Sequence, residues 1–195
     1  MPSRLVLLAL LALVVGACAA LRDDAARAGS AAPSTATLRT TTASTGPARQ
    51  PPPGLVAAAE RRSAPELRVT AFDGRAGTLE GMRGGPAVVS FFESWCPICQ
   101  VEQPDLSRVA AEFAGGVGFV GVSYHDTADG GRAYQRRFHV PYPLANDASG
   151  RTWARWRVPY QPVVLVDKQG RIAGRFEGGT TGGTLRAALA YLVGE

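Results

Sequence analysis

Two cysteines separated by two residues are the part of the sequence best suited to chemistry. They are Cys96 and Cys99, and Pro97 and Ile98 lie between them. A short apolar run ends just before the pair and helical spacing starts with it, so we expect the pair at a helix N-terminus. Unpaired N–H groups and the helix dipole stabilise a thiolate there, and the thiolate is the nucleophile of thiol–disulfide exchange. The pair therefore predicts redox chemistry in which Cys96 attacks and Cys99 resolves the mixed disulfide.

Two other roles are open to a pair of cysteines at this spacing, a zinc site and a structural disulfide. Structural zinc needs four ligands, commonly from two such pairs. The third cysteine, Cys18, is distant, and the two histidines, His125 and His139, are not in a paired-ligand spacing. We expect both histidines in loops or at the surface. A structural disulfide that closes so small a loop would add little stability, so redox chemistry is the leading interpretation.

The elements that must position the pair alternate between strands and helices. Strands are predicted from short apolar or β-branched runs, and helices from apolar residues at helical spacing. The predicted strands are 67–72, 87–92, 117–123, 163–166 and 171–176, and the predicted helices are 97–113, 128–138 and one around 185–192. A turn at 167–170 makes the last two strands an antiparallel hairpin, and Thr181 or Thr184 is the candidate N-cap of the final helix. Trp153 and Trp156 lie one turn apart on a short helix and are expected in the core. The alternation predicts an α/β sheet.

Length, hydrophobic content and charge limit the number of domains and the partners to be expected. The chain has 195 residues, of which 46% are hydrophobic, enough for one domain with a buried core and additional material. Its formal net charge is +5, carried by scattered arginines and a single lysine, Lys168. Scattered arginines are typical of a solvated surface, so we expect no nucleic-acid partner.

The N-terminal part of the chain has the composition of an export signal followed by a tether. Residues 1–17 contain Arg4 and an apolar run at 5–15, which is too short to span a bilayer and fits a signal peptide. Residues 15–18 resemble a bacterial lipobox, which predicts cleavage before Cys18 and a lipid anchor on it. Residues 18–64 are rich in Ala, Thr, Ser and Pro and predict a flexible linker, with a short helix around 55–62 as the alternative.

From residue 65 to residue 195 the chain resembles the TlpA/ResA branch of exported thioredoxin-like proteins. The resemblance covers nearly the whole predicted domain, and its motifs follow one another in the order of the branch. They are the strand at 85–92, the segment 94–99, Glu102 and Pro104 after the second cysteine, the strand end at 121–126, the insertion at 138–143 and the hairpin turn at 167–170. The resemblance implies a thioredoxin-like α/β fold, with a central mixed β-sheet flanked by helices and preceded by a disordered N-terminal tether.

The resemblance also implies a proline in the cis conformation that faces the two cysteines and leaves a backbone edge free for substrate. Pro162 is the candidate because an apolar strand follows it at once, and Pro159 is the competitor. Cis bonds occur at about 5–6% of X–Pro positions in folded proteins, so this expectation rests on the resemblance alone.

Three further side chains are candidates for the site. Ser90 stands where cytoplasmic thioredoxins carry a buried Asp, so Glu93 is the candidate for proton transfer if its side chain reaches inward; otherwise it is an exposed carboxylate at a strand end. Glu102 either approaches the site or pairs with solvent and arginine. Trp95 either shields the attacking sulfur and contacts substrate or serves in packing.

These observations predict an extracytoplasmic enzyme that exchanges electrons with exported proteins and needs no cofactor. The resemblance implies exported protein thiols or disulfides as partners, and a membrane electron-transfer partner. We expect a monomer held at the outer face of the membrane, either a reductant in cytochrome c maturation, an oxidant of secreted proteins, or a redox-homeostasis protein. The alternatives are a thioredoxin-like copper chaperone, which would require His125 or His139, and a peroxiredoxin-like peroxidase.

Overall fold

The computed structural model describes residues 49–195. The expected signal peptide at 1–17, the lipid anchor at Cys18 and the first part of the expected linker lie outside these residues. Within residues 49–195, no helix combines the length and the apolar character that crossing a bilayer requires.

Seven strands and four α-helices follow one another in the described chain. The strands are β1 (Arg68–Thr70), β2 (Ala76–Thr78), β3 (Ala87–Phe92), β4 (Gly118–Ser123), β5 (Leu144–Asn146), β6 (Val163–Val166) and β7 (Ile172–Phe176). The helices are α1 (Pro97–Glu112), α2 (Ala128–Arg137), α3 (Arg151–Trp156) and α4 (Gly182–Val193), and single 3-10 turns occupy Ala58–Glu60 and Glu80–Met82.

Five strands form one mixed sheet in the order β5-β4-β3-β6-β7. β3 and β5 each run parallel to β4, while β6 and β7 are antiparallel to their neighbours. One buried cluster joins Val88 and Phe92 of β3 to side chains of α1 and α4. A second cluster packs Phe91 of β3 against Trp153 and Trp156 of α3. Helices therefore cover both faces of the sheet, as predicted, and the two tryptophans lie in the core.

The central strand β3 delivers the cysteine pair to its helix. All six of its residues are buried, as expected for an apolar run between two neighbouring strands. α1 begins directly after Cys96, with Pro97 at its first position, where the missing N–H costs no helical hydrogen bond. Thr181 caps α4 by accepting a hydrogen bond from the N–H of Thr184 at 3.2 Å, which confirms Thr181 over Thr184 as the N-cap.

The first predicted strand, 67–72, is shorter in the structure, and its last residues reach the main sheet, where Ala71 forms an isolated antiparallel bridge with Ala145 of β5. β1 covers Arg68–Thr70 and pairs antiparallel with β2 as a two-stranded ribbon. β2 has no apolar run, since it consists of Ala76, Gly77 and Thr78, so periodicity did not predict it. Its backbone pairing with β1 forms it instead.

Residues 49–64, which we call the N-terminal strap, correct the expectation of a flexible linker up to residue 64. Isolated antiparallel bridges join Leu55 to Gly174 and Ser63 to Arg171. The N–H of Ile172 donates to the carbonyl oxygen of Arg62 at 2.8 Å. The strap therefore follows the outer edge of β7, and its backbone groups are paired there. Composition did not reveal it because backbone pairing with a sheet edge needs few large apolar side chains.

Arg61 fastens the strap through a buried charge cluster. Its side chain is fully buried, and Nη1 lies 3.2 Å from Oδ2 of Asp167 and 2.6 Å from Oε2 of Glu195. Burial by itself would raise the pKa of Asp167. Hydrogen bonds from the backbone N–H and side chain of Arg171 and from Arg61 outweigh it, and they lower the pKa below its ordinary value. The predicted turn at 167–170 is therefore also a point where the strap is attached, through the contact of Arg61 with Asp167.

Candidate active site

Cys96 and Cys99 form a disulfide at the N-terminus of α1. Their Cα atoms are 5.3 Å apart, within the usual range for a disulfide. Cys96 is the N-cap residue, and its Sγ accepts a hydrogen bond from the N–H of Cys99 at 3.3 Å. Both cysteines are buried, with 4% and 5% of their surface exposed. When the bond is reduced, the same N–H and the helix dipole are placed to stabilise a thiolate on Cys96.

The loop that leads into α1 is held by a carboxylate from the neighbouring strand. Asp126, just beyond β4, accepts hydrogen bonds from the N–H of Ser94 at 2.7 Å and from its Oγ at 2.8 Å. Gln100 Nε2 donates to the carbonyl oxygen of Ser94 at 2.8 Å. Asp126 was not among the predicted site residues. Its place after the carboxyl end of a strand parallel to β3 is the signal that would have found it.

Trp95 lies beside the disulfide with 57% of its surface exposed. Its Nε1 donates to the carbonyl oxygen of His125 at 3.1 Å, so the exposed ring has a fixed orientation. Packing alone does not account for so exposed a tryptophan. Ile98 and Tyr160 are also large exposed side chains, and Ile98 lies between the two cysteines. The disulfide is therefore bordered by apolar surface.

Glu93 is buried, with only 3% of its surface exposed, which corrects the alternative of an exposed carboxylate at a strand end. Gln161 Nε2 donates a hydrogen bond to its Oε2. His125 Nδ1 lies 3.7 Å from its Oε1. The side chain thus contacts Gln161 and His125. Composition did not predict this burial because both partners are distant in sequence.

Glu102 approaches the buried side of the cysteine pair. It lines a narrow cavity together with Cys99, Ser90 and Gln161. Burial raises the pKa of Glu102, and a hydrogen bond from the N–H of Thr180 to its Oε1 opposes part of that rise. The recorded partner of the carboxylate is the N–H of Thr180, and a role of Glu102 at the cysteines stays a prediction.

Pro162 immediately precedes β6 next to the site, but its peptide bond is not cis. The described residues contain no cis peptide bond, so the expectation fails for both Pro162 and Pro159. The trans isomer of an X–Pro bond is favoured by about 0.5–1 kcal/mol. In the trans form the carbonyl oxygen of Pro162 accepts the N–H of Phe91 at 3.0 Å and extends the pairing of β3 with β6.

A buried polar network supports the turn of α1 that contains Cys99. The hydroxyl of Tyr134 donates to the carbonyl oxygen of Cys99 at 2.8 Å, and Gln103 Nε2 donates to the hydroxyl of Tyr142 at 2.9 Å. Burial raises the pKa of both tyrosines, so their hydroxyls stay protonated as donors. None of the three side chains was predicted, because they look like ordinary core or surface residues until the fold brings them together.

The two histidines are in loops, as expected, and both have backbone φ angles in the left-handed region, 54° for His125 and 47° for His139. His125 borders the site, whereas His139 lines a surface groove next to α2. Among residues 49–195, no three side chains of His, Cys, Asp or Glu are grouped so that they could hold a metal ion.

A thioredoxin-like sheet with a disulfide at the start of α1 defines a redoxin. The chain belongs to the AhpC/TSA family, whose pattern matches residues 61–187. It is 38% identical over 112 residues to the soluble secreted antigen MPT53 of Mycobacterium tuberculosis, covering 56% of this chain and 61% of that protein. It is 34% identical over 117 residues to the thiol:disulfide interchange protein DsbE of Pseudomonas aeruginosa, covering 59% and 63%.

A solved structure agrees with these relatives. The fold superposes on a secreted disulfide oxidoreductase of Mycobacterium tuberculosis homologous to DsbE, with a TM-score of 0.59 and 28% identity, covering 65% of this chain and 96% of that one. ResA proteins of Bacillus species are also relatives, so the resemblance to the TlpA/ResA branch is confirmed. The aligned segments span less than two thirds of the length of MPT53 and DsbE.

Proposed function

We propose that this protein is a thiol–disulfide oxidoreductase that exchanges electrons with other proteins through Cys96 and Cys99. The observation that carries the proposal is the disulfide at the N-terminus of α1, bordered by the exposed Trp95. Relatives named as interchange proteins and a solved neighbour named as a disulfide oxidoreductase support it.

In the reducing direction the thiolate of Cys96 attacks one sulfur of a substrate disulfide. A mixed disulfide forms, and the other substrate sulfur leaves as a thiolate that takes up a proton. The thiolate of Cys99 then attacks Cys96 Sγ, which closes the protein disulfide and releases the second substrate thiol. Two electrons and two protons pass to the substrate. Oxidation of a substrate dithiol is the same sequence reversed, and the reduction potentials of the two couples set the direction.

We assign the supporting roles by position. Glu102 shares a cavity with Cys99 and has a raised pKa, which suits a group that takes and returns the proton of Cys99. Trp95 shields Cys96 and offers a flat contact for substrate. Pro162, directly before β6, places the preceding backbone beside the site. Glu93 acts in the site through its contacts with Gln161 and His125.

We further propose that the enzyme works outside the cytoplasm. Residues 1–17 serve as the signal peptide, Cys18 carries the lipid anchor, and the chain from there to the strap is the linker. The names of the secreted relatives support export. Its partners would then be exported protein thiols and disulfides together with a membrane electron donor or acceptor, in cytochrome c maturation or in redox homeostasis. The protein would act as a monomer.

Trapping the mixed disulfide tests the proposed activity. In the Cys99→Ser variant the second step is blocked, so a protein disulfide such as insulin should accumulate in a covalent complex that dithiothreitol releases. The matched Cys96→Ser variant should form none, since its attacking sulfur is absent. Complexes of equal yield in both variants, or in neither, would contradict the assignment. The reduction potential of the unaltered couple then decides between a reductant and an oxidant.

A further inference from the structure

Two exposed aromatic side chains lie on the two segments that meet at the disulfide. Trp95 belongs to the loop before α1 and is 57% exposed, and Tyr160 belongs to the loop before β6 and is 65% exposed. The second loop reaches the cysteines because Gln161, which follows Tyr160, lines the same cavity as Cys99. Rigid aromatic rings offer large contact areas at low entropic cost, and they are enriched where proteins bind one another.

Glu93 connects the two loops. Its backbone carbonyl oxygen accepts the N–H of Cys96 at 3.0 Å, so the residue belongs to the turn that presents the attacking sulfur. Its carboxylate accepts the hydrogen bond from Gln161 of the other loop. A buried carboxylate is costly unless it is partnered, so loss of this contact would expose the carboxylate and free both loops.

His125 joins the same arrangement from the end of β4. Its ring lies between Glu93 and Tyr124, at 3.7 Å between Nδ1 and Oε1 of Glu93 and 3.7 Å between ring centroids with Tyr124. Its carbonyl oxygen holds the indole of Trp95. Its φ of 54° is unusual for a residue with a side chain and is found where the surroundings impose it. The orientation of Trp95 therefore depends on the neighbourhood of Glu93.

We propose that Glu93 is a positioning residue for substrate. Through Gln161 and His125 it holds Tyr160 and Trp95 as the two sides of a site that receives a polypeptide segment next to its disulfide. The substrate class that follows is a protein disulfide flanked by apolar residues, in preference to a small soluble disulfide. This inference rests on the proposed function. It also explains why Glu93 is buried although it does not line the cavity that contains Cys99.

Kinetics with a large and a small disulfide test the inference in the full chain. In Glu93→Ala, KM for insulin should rise about tenfold, the effect of losing one hydrogen bond to a charged group. The rise should be selective: the KM for oxidised glutathione should rise much less, because a small disulfide does not reach both aromatic side chains. Glu93→Gln keeps an oxygen acceptor for Gln161 and should restore most of the insulin KM.

The matched control is Glu112→Ala, which removes a carboxylate that accepts two hydrogen bonds from Arg186 at the other end of α1. Glu112→Ala should leave the KM for insulin and the KM for oxidised glutathione unchanged. An unchanged insulin KM in Glu93→Ala, or parallel losses with insulin and oxidised glutathione, would overturn the positioning role alone. Absence of turnover of both disulfides by the unaltered protein would contradict the proposed function, and the inference with it.

Discussion

At the scale of single residues, the site is organised by two carboxylates with different surroundings. Glu102 shares a cavity with Cys99, and burial raises its pKa. Glu93 lies between Gln161 and His125 and is tied into the loops. We proposed proton transfer for the first and positioning for the second. Environment, rather than residue type, separates the two roles.

The raised pKa of Glu102 predicts a pH-dependent gain in stability for Glu102→Gln. A carboxyl whose pKa is higher in the folded state than in the unfolded chain destabilises the fold at pH values above the raised pKa and has no effect below both values. The variant should therefore melt at a higher temperature than the unaltered protein at pH 7, and the difference should vanish towards pH 4. Thermal melting across this range measures it.

Glu112→Gln is the control for that measurement, because the hydrogen bond from Arg186 lowers the pKa of Glu112. Glu112→Gln should lower the melting temperature at pH 7, since this carboxylate stabilises the fold above its unfolded pKa. The difference should shrink on acidification, because the contribution of the carboxylate is lost when it is protonated. A gain for Glu102→Gln that does not depend on pH would contradict the assigned cause.

At the scale of elements, the active-site loop is fixed from the neighbouring strand. Asp126 follows β4 and binds Ser94 through both carboxylate oxygens, while its Oδ1 also accepts the N–H of Thr127 at 2.8 Å. Parallel strands β3 and β4 end at the same edge of the sheet, which brings these residues together. The position of Cys96 therefore depends on β4 as much as on its own strand.

Asp126→Ala should loosen that loop and destabilise the fold by about 1.5–3 kcal/mol, the range for hydrogen bonds to a charged group. Urea denaturation measures the loss. Asp129→Ala is the matched control, because Asp129 is largely exposed and, within residues 49–195, its ion pair is with Arg132 on the surface of α2. Equal losses in the two variants would show that Asp126 does not hold the loop.

At the scale of the whole molecule, the strap enlarges the domain beyond the predicted start at residue 65. It covers the edge of β7, which would otherwise leave unpaired backbone groups open to another chain. Leu55 packs against the main core, and Arg61 joins the strap to Asp167 and Glu195. One guanidinium therefore joins the strap both to the turn before β7 and to Glu195.

Arg61→Ala should lower the free energy of unfolding by about 3 kcal/mol, the low end for removing one partner of a buried ion pair, since Asp167 keeps Arg171. Arg62→Ala offers an adjacent exposed arginine as the comparison and should have little effect. Denaturant titration measures the free energy of unfolding of both variants. Similar unfolding midpoints for Arg61→Ala and Arg62→Ala would mean that the charge cluster does not secure the strap.

Sequence reasoning predicted the parts of the fold that local pattern encodes. The strand at 87–92 and the strand at 163–166 match β3 and β6, since buried apolar runs are short and well bounded. Helix α1 begins where Pro97 and the cysteines indicated. The strap, β2 and the assignment of Asp126 were missed because each depends on backbone or side-chain partners far away in sequence. Burial of Glu93 was missed for the same reason.

Helix α4 has the cysteine-bearing helix α1 at its N-terminus and the start of the strap at its C-terminus. At its N-terminus, Thr180 and Gly182 contact Glu102 and Asp105 of α1. At its C-terminus the hydroxyl of Tyr191 binds the carbonyl oxygen of Arg49, where the described chain begins. Its 12 residues make it about 18 Å long. A partner bound over the disulfide would therefore leave the start of the strap at Arg49 uncovered, about one helix length away.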